Sequence, residues 1–224
     1  MKKLVILGLS LIMGFTTIAQ EKFTEGKIIM SQTMSTDNEQ MQAMLKQMMG
    51  DEPMTIVTYL KGDKSRSEIS NPASGDIITI SNNDTKEMLM LMDNPMLGKK
   101  YQLTSLNIED EEKLEENVKI VQGDNTKTIL GYECKEQIVT VNQNGVKMEM
   151  SMYITDKITP VMTQQTSMLG NKLKGFPMYM IMNMNQQGMA MKMTFEVIEL
   201  TKESVANSKF NMTPPEGYTK LQAN

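Results

Sequence analysis

Three runs decide the fold: Met148-Glu149-Met150-Ser151-Met152, Met178-Tyr179-Met180-Ile181-Met182-Asn183-Met184, and Met189-Ala190-Met191-Lys192-Met193. Methionine falls on every second residue in each. In a β-strand successive side chains point to opposite faces, so this period gathers the methionines on one side of a sheet. A helix would scatter them around its circumference. The turn signals agree. Asn144-Gly145 is a two-residue hairpin signal, and it sets Val141 opposite Met148 and Val139 opposite Met150. A second turn near Gln187-Gly188 sets Met184 opposite Met191, Met182 opposite Met193 and Met180 opposite Phe195. Lys147, Glu149 and Ser151 fall on the other face, where they can stay in water.

Burying one such side chain is worth about 1.5–3 kcal/mol. The ten methionines of these runs, left in water, would forfeit on the order of 15 kcal/mol, against a net domain stability of about 5–15 kcal/mol. The face must therefore be covered by protein, by a ligand or by a metal.

Outward from this stretch, the N-terminus reads as a targeting segment. Met1-Lys2-Lys3 is basic, Leu4 to Phe15 is apolar, and Thr17 and Ala19 are small residues suited to signal peptidase. Residues 1–19 are expected to be a cleaved signal peptide. The remaining residues, 20–224, are expected to form a single β-rich domain in the periplasm or outside the cell. The apolar run is short for a membrane span, and no cysteine follows the cut to carry a lipid. Without Lys2 and Lys3 the chain has 21 basic residues against 27 acidic ones, a net charge near −6, which argues against nucleic acid as a partner. The single cysteine, Cys134, reads as a small buried hydrophobe.

Phe23 to Met34 reads as the first strand. An amphipathic helix follows, with Met41, Met44, Leu45, Met48 and Met49 on one stripe. Thr36 and Glu39 sit at capping-box spacing before it, and Gly50 and Pro53 end it. The helix is expected to lie as a lid over the methionine face. Strands are expected at Thr55–Leu60, from Lys64 through Ile69, at Ile77–Ser81 and at Lys86–Met92, the last of them central. Residues 93–107 read as irregular. Val118 opens the second half, which runs through a strand ending at Val141. Pro95-Met96-Leu97-Gly98-Lys99-Lys100 and Met168-Leu169-Gly170-Asn171-Lys172 are apolar tips followed by lysines. They read as solvated loops, or as a peripheral contact with an anionic membrane surface. The acidic run Glu109 to Glu116 reads as a solvated face.

The order of signal, strand, amphipathic helix and antiparallel hairpins resembles the periplasmic lipoprotein-carrier fold, LolA/LolB-like. Three tracts are similar to a related, uncharacterised secreted family of unknown function: Tyr59-Leu60-Lys61-Gly62-Asp63-Lys64-Ser65-Arg66, Leu130-Gly131-Tyr132-Glu133-Cys134, and Pro215-Glu216-Gly217-Tyr218. The resemblance implies a mainly β (α+β) fold, a curved antiparallel sheet or incomplete barrel with one or two covering helices, and a hydrophobic ligand. It supplies no catalytic residues.

The expected function is non-enzymatic binding of an acyl chain, lipid or other hydrophobic small molecule. The expected lining is Met41, Met44, Met48, Met148, Met150, Met152, Met180, Met182, Met184, Met191, Met193 and Phe195. Methionine is unbranched and polarizable, and adapts to varied shapes. Two other readings of the face stand beside this one: a Cu(I) site, because thioethers suit that ion, and a dry methionine core. No cofactor is expected. The chain has no histidine, which excludes Ser-His and Cys-His nucleophile arrangements, and no glycine-rich phosphate loop occurs.

Overall fold

The computed structural model describes residues 21–71, 75–105, 116–143, 146–163, 165–186 and 189–221. The expected signal peptide, the acidic run over 109–115 and the two turns at 144–145 and 187–188 lie outside these residues.

The described residues form one open sheet of twelve strands and one helix. The strands are β1 (Glu25–Thr36), β2 (Met54–Lys61), β3 (Lys64–Asn71), β4 (Gly75–Asn82), β5 (Glu87–Asn94), β6 (Gly98–Ser105), β7 (Val118–Ile129), β8 (Tyr132–Gln143), β9 (Val146–Thr155), β10 (Phe176–Gln186), β11 (Met189–Thr201) and β12 (Thr219–Lys220). The helix α1 spans Glu39–Met49. Their order in the sheet is β12-β6-β5-β4-β3-β2-β1-β11-β10-β9-β8-β7. Two antiparallel meanders, β1 to β6 and β7 to β11, thus meet where β1 pairs with β11. This is the mainly β, open-sheet architecture expected from the hairpin pattern.

The registers match those read from the turns: Val141 opposite Met148, Val139 opposite Met150, Met184 opposite Met191, Met182 opposite Met193 and Met180 opposite Phe195. The row continues onto β1, where Met34 lies opposite Met193. We call the methionine-bearing side the inner face. One element departs from strict alternation. The β9–β10 ladder slips between Pro177 and Tyr179, and Met178 leaves the row of Met180 and Met182. It packs instead with Phe23, Cys134, Phe176 and Val197.

Two expectations are corrected. Residues 98–105, read as irregular, form β6. Tyr101 and Leu103 lie opposite Leu91 and Leu89, but Lys99 and Lys100 at the strand's start hide the pattern. The helix cap is Asn38, whose side chain accepts from the Met41 N–H at 2.9 Å, and not Thr36. The reach back across the first turn is made by Gln42, whose Oε1 accepts from the Thr36 N–H at 3.0 Å. Beyond the Pro215–Tyr218 tract the tail adds β12 in parallel beside β6.

The tail straps the outer face. Val205 and Phe210 bury against Ile80, Leu89 and Leu91, with Tyr59, Tyr101, Met212 and Tyr218 around them. Lys61 donates to the Val205 carbonyl at 2.7 Å and Glu25 accepts from the Val205 N–H at 2.8 Å. Arg66, the chain's one arginine, pairs with Glu68 and donates to the Lys209 carbonyl at 3.3 Å. It therefore fastens the tail.

β7 and β8 are joined by Leu130 and Gly131 alone, with φ of 49° and 82°. A two-residue turn with both φ positive is the type that favours Asn-Gly, and leucine in the left-handed region costs about 1–2 kcal/mol. Leu130→Asn is therefore expected to stabilise the protein by about 1 kcal/mol, seen as a raised unfolding midpoint in urea; an unchanged or lowered midpoint would contradict the assignment of strain to Leu130.

Candidate functional site: the methionine face and its cover

The inner face is buried at one end and half-open at the other. Met150, Met152, Met180, Met182 and Phe195 are buried in one cluster with Val139, Val141, Ile56 and Val118. Met148, Met184 and Met193 pack against that cluster while remaining half-buried, and Met191 is half-buried beside them. The sequence placed all of these on one face, and the structure does bring them together. It adds Met30 and Met34 from β1, which the sequence reading passed over although Met30, Gln32 and Met34 alternate in the same way.

The helical members of the expected lining sit apart. α1 stands where β1 ends and β2 begins, at the half-open end of the face. Met41 and Leu45 are half-buried, and Met44 is 54% exposed. The side chain of Met48 lies outside the described set. Between α1 and β1 is a cavity of about 130 Å³, lined by Gln32, Met34, Gln42, Leu45 and the turn through Gly50 to Pro53.

The buried half of the face is covered by the segment 156–175, which joins β9 to β10. Connections of this length inside compact domains are uncommon and usually functional. Leu169 and Leu173 plug into the methionine cluster. This corrects the reading of the Met168–Lys172 tract as a solvated or membrane-facing tip: its leucine is fully buried. The other tip does project, with Met96 93% exposed. A pocket of about 10 Å³ lies between cover and sheet, beside Met30, Thr163, Met180 and Phe195.

Polar groups hold the cover at its two ends. On β3 and β4 the inner face carries Ser65, Ser67, Thr79 and Ser81, all buried, with registers Ser65–Ser81 and Ser67–Thr79. Small hydroxyl residues there let a backbone approach the sheet. The Met162 carbonyl lies 2.5 Å from Ser81 Oγ and 3.0 Å from Ser65 Oγ, and the two hydroxyls are 2.7 Å apart. Asn83 donates to the Pro160 carbonyl and accepts from the Met162 N–H, both at 3.1 Å. At the far end Lys172 Nζ donates to the Val118 carbonyl at 2.8 Å. Sequence alone offered one signal for this: serine and threonine at alternate positions, Ser65 and Ser67 on β3 and Thr79 and Ser81 on β4.

A second polar cluster lies on the outer face of β7–β10. Glu136 is buried. Its carboxylate accepts from Ser151 Oγ at 2.8 Å, Asn125 Nδ2 at 2.6 Å and Tyr153 OH at 3.4 Å. These donors, Ser151 foremost, hold its pKa below the usual carboxylate value against the opposing effect of burial. A Cβ on Gly123 would fall 2.6 Å from Glu136 Oε2, so a larger residue there would force the carboxylate to shift. Lys127 lies over the rings of Tyr179 and Tyr153, 3.9 and 4.6 Å from their centroids, and the rings meet edge to face. Cys134 is buried nearby, and burial pushes its thiol up to about 11, so it behaves as the small hydrophobe expected. Among the described residues no group of three or more acidic or cysteine side chains could hold a metal ion.

An open sheet with a largely apolar, covered inner face is the architecture of a domain built around one face. The chain belongs to the DUF4412 family, a domain of unknown function, whose family model matches residues 23–218. The tracts at 59–66, 130–134 and 215–218 all fall inside this span. No curated protein matches the chain. Among solved structures, PNGF-II is similar at 14% identity and a TM-score of 0.49; the likeness covers 88% of this chain and 31% of PNGF-II, so the chain spans about a third of that protein. The Mycobacterium tuberculosis lipoprotein LppX is similar at 6% identity and a TM-score of 0.35, over 81% of this chain and 89% of LppX.

Ser81→Ala leaves the Met162 carbonyl with Ser65 as its remaining hydroxyl donor and is expected to cost about 0.5–1.5 kcal/mol. Amide hydrogen exchange should rise first within 156–173. Uniform acceleration across the sheet would mean that the cover is not an independent unit. Glu136 gives a pH signature. A carboxyl whose folded pKa is depressed contributes stability above its unfolded value, which is lost as pH falls through the folded pKa. Stability is therefore expected to decline as pH drops below about 4.5, and Glu136→Gln to flatten that decline in urea titrations. An unchanged acid limb would show that other carboxylates set it.

Proposed function

We propose that this protein is an exported, non-enzymatic binding protein that holds an acyl chain or lipid against the methionine face. The observation that carries the reading is the division of that face. One half is sealed by a long inserted segment, and the other half leaves Met148, Met184, Met191 and Met193 half-buried at the end where α1 stands. A core with only a structural role has no need of such an opening.

The pocket beside Met180 and Phe195, about 10 Å³, is too small for an acyl chain. In this reading the ligand takes the place of Leu169 and Leu173, which fill the methionine cluster. The cover stays anchored at Pro160–Met162, where Asn83 and Ser81 hold it, and the part carrying the two leucines lifts. The exchange replaces one apolar contact by another, so its net cost is modest and the face is never left in water. Methionine suits the role because it repacks around varied shapes. The lack of histidine, together with the solvation of Glu136 by neutral donors, supports binding without catalysis.

Native mass spectrometry of the protein purified from its own envelope without detergent tests this reading. A bound mass that dissociates as a lipid is expected, together with a raised unfolding temperature on adding envelope lipid extract. A clean unliganded mass with no thermal response to that extract would overturn it.

A further inference from the structure

Methionine is an unusual choice for this face. Strands favour β-branched and aromatic residues, and on apolar grounds alone valine, isoleucine or leucine would serve as well. Where local preference is overridden repeatedly at one place, function is the usual reason.

The ladder shows what the choice assembles. Met34 on β1, Met193 on β11, Met182 on β10 and Met150 on β9 are successive cross-strand partners, so they form one row over four adjacent strands. Met191 and Met184 are partners in the next row towards the open end. Adjacent strands lie about 4.8 Å apart, and same-face neighbours along a strand about 6.7 Å apart. Met191 sits beside Met184 across the ladder and two residues from Met193 along β11. The three flexible thioethers spring from one corner of the grid, close enough in register to converge on one ion. Met182 and Met150 are buried, whereas Met34, Met184, Met191 and Met193 are half-buried, so the corner is open to an ion from solution. The residues between them, Lys192 and Asn183, point to the outer face, and no carboxylate stands among the inner-face partners of these rows.

We propose that Met184, Met191 and Met193 form a thioether site for a soft monovalent ion, Cu(I) or Ag(I), with Met34 beside them as a further donor. A neutral set of sulfur ligands selects such ions over hard divalent cations. The low charge of the ion and the half-open position keep the desolvation cost small. This site does not depend on the lipid-binding reading, although it lies at the mouth of the same face.

Leucine separates the two. Met→Leu keeps size and apolarity, and is tolerated in cores at under about 1.5 kcal/mol, but removes the sulfur. The test is anaerobic titration of the protein with Cu(I) against a chromophoric Cu(I) chelator, repeated with Ag(I) by native mass spectrometry. The unmodified protein is expected to take up one ion. Met191→Leu/Met193→Leu should weaken ion binding at least tenfold while leaving thermal stability near that of the parent. Met152→Leu, in the sealed half, and Cys134→Ala should bind the ion as the parent does. Failure of the parent to retain Cu(I) or Ag(I) would overturn the site, as would an affinity insensitive to the double substitution or one abolished by Cys134→Ala. A protein that binds the ion but no lipid would overturn only the lipid reading.

Discussion

The structure turns on the need to keep one side of a very wide sheet dry. Twelve strands in an open sheet expose two faces, and neither is polar enough to stand in water along its whole length. The chain answers differently on each side. The tail covers the outer face of the first meander permanently, with buried aromatic and aliphatic contacts reinforced by Lys61, Glu25 and Arg66. The inner face is covered by an insertion that buries Leu169 and Leu173 in the methionine cluster and Ile158 and Val161 in a second cluster, with polar holds at its two ends. The two apolar holds of the cover fall in separate clusters, and the part carrying Leu169 and Leu173 is the one proposed to lift.

Burial of Glu136 on the opposite surface belongs to the same problem. The outer face of β7–β10 has no strap among the described residues, and Val121 and Ile138 there are exposed. What holds this half together laterally is a charge-assisted hydrogen-bond hub. Glu136 ties β7, through Asn125, to β9, through Ser151 and Tyr153, while Lys127 clamps the tyrosines of β9 and β10. Such a hub rigidifies the sheet behind the methionines, and a rigid back wall lets the cover move without the strands following it.

Much of this was legible in the sequence because strand periodicity and turn length leave little freedom. Once Met148–Met152 and Met180–Met193 are placed on strands, a two-residue turn fixes every partner, since a slip of one residue would send the whole set into water. The slip at Met178 was not legible, because a bulge preserves composition and alternation on both sides of itself. The strand β6 was hidden by its opening lysines, which sit near the sheet edge where charge is tolerated. The cover was hidden for a deeper reason. Leu169 and Leu173 stand among Gly170, Asn171, Lys172 and Lys174, a composition indistinguishable from a solvated loop, and only the three-dimensional neighbourhood reveals which leucines are swallowed. The role of α1 was legible as an amphipathic helix but not in its placement, since the stripe does not say which surface it meets.

The two ends of the methionine face thus have different chemistry written with the same residue. At the sealed end, sulfur is incidental: Met150, Met152 and Met180 are buried among hydrocarbon, with Leu169 and Leu173 packed against them. At the open end, sulfur is the one polarizable donor the face offers, and the ladder brings three thioethers to one corner beside the helix. A sheet built from leucine would keep the first property in part and lose the second entirely. Selection for an apolar surface alone therefore does not account for methionine at Met184, Met191 and Met193, where the side chains are half in water and a charged or hydroxyl residue would cost nothing to expose.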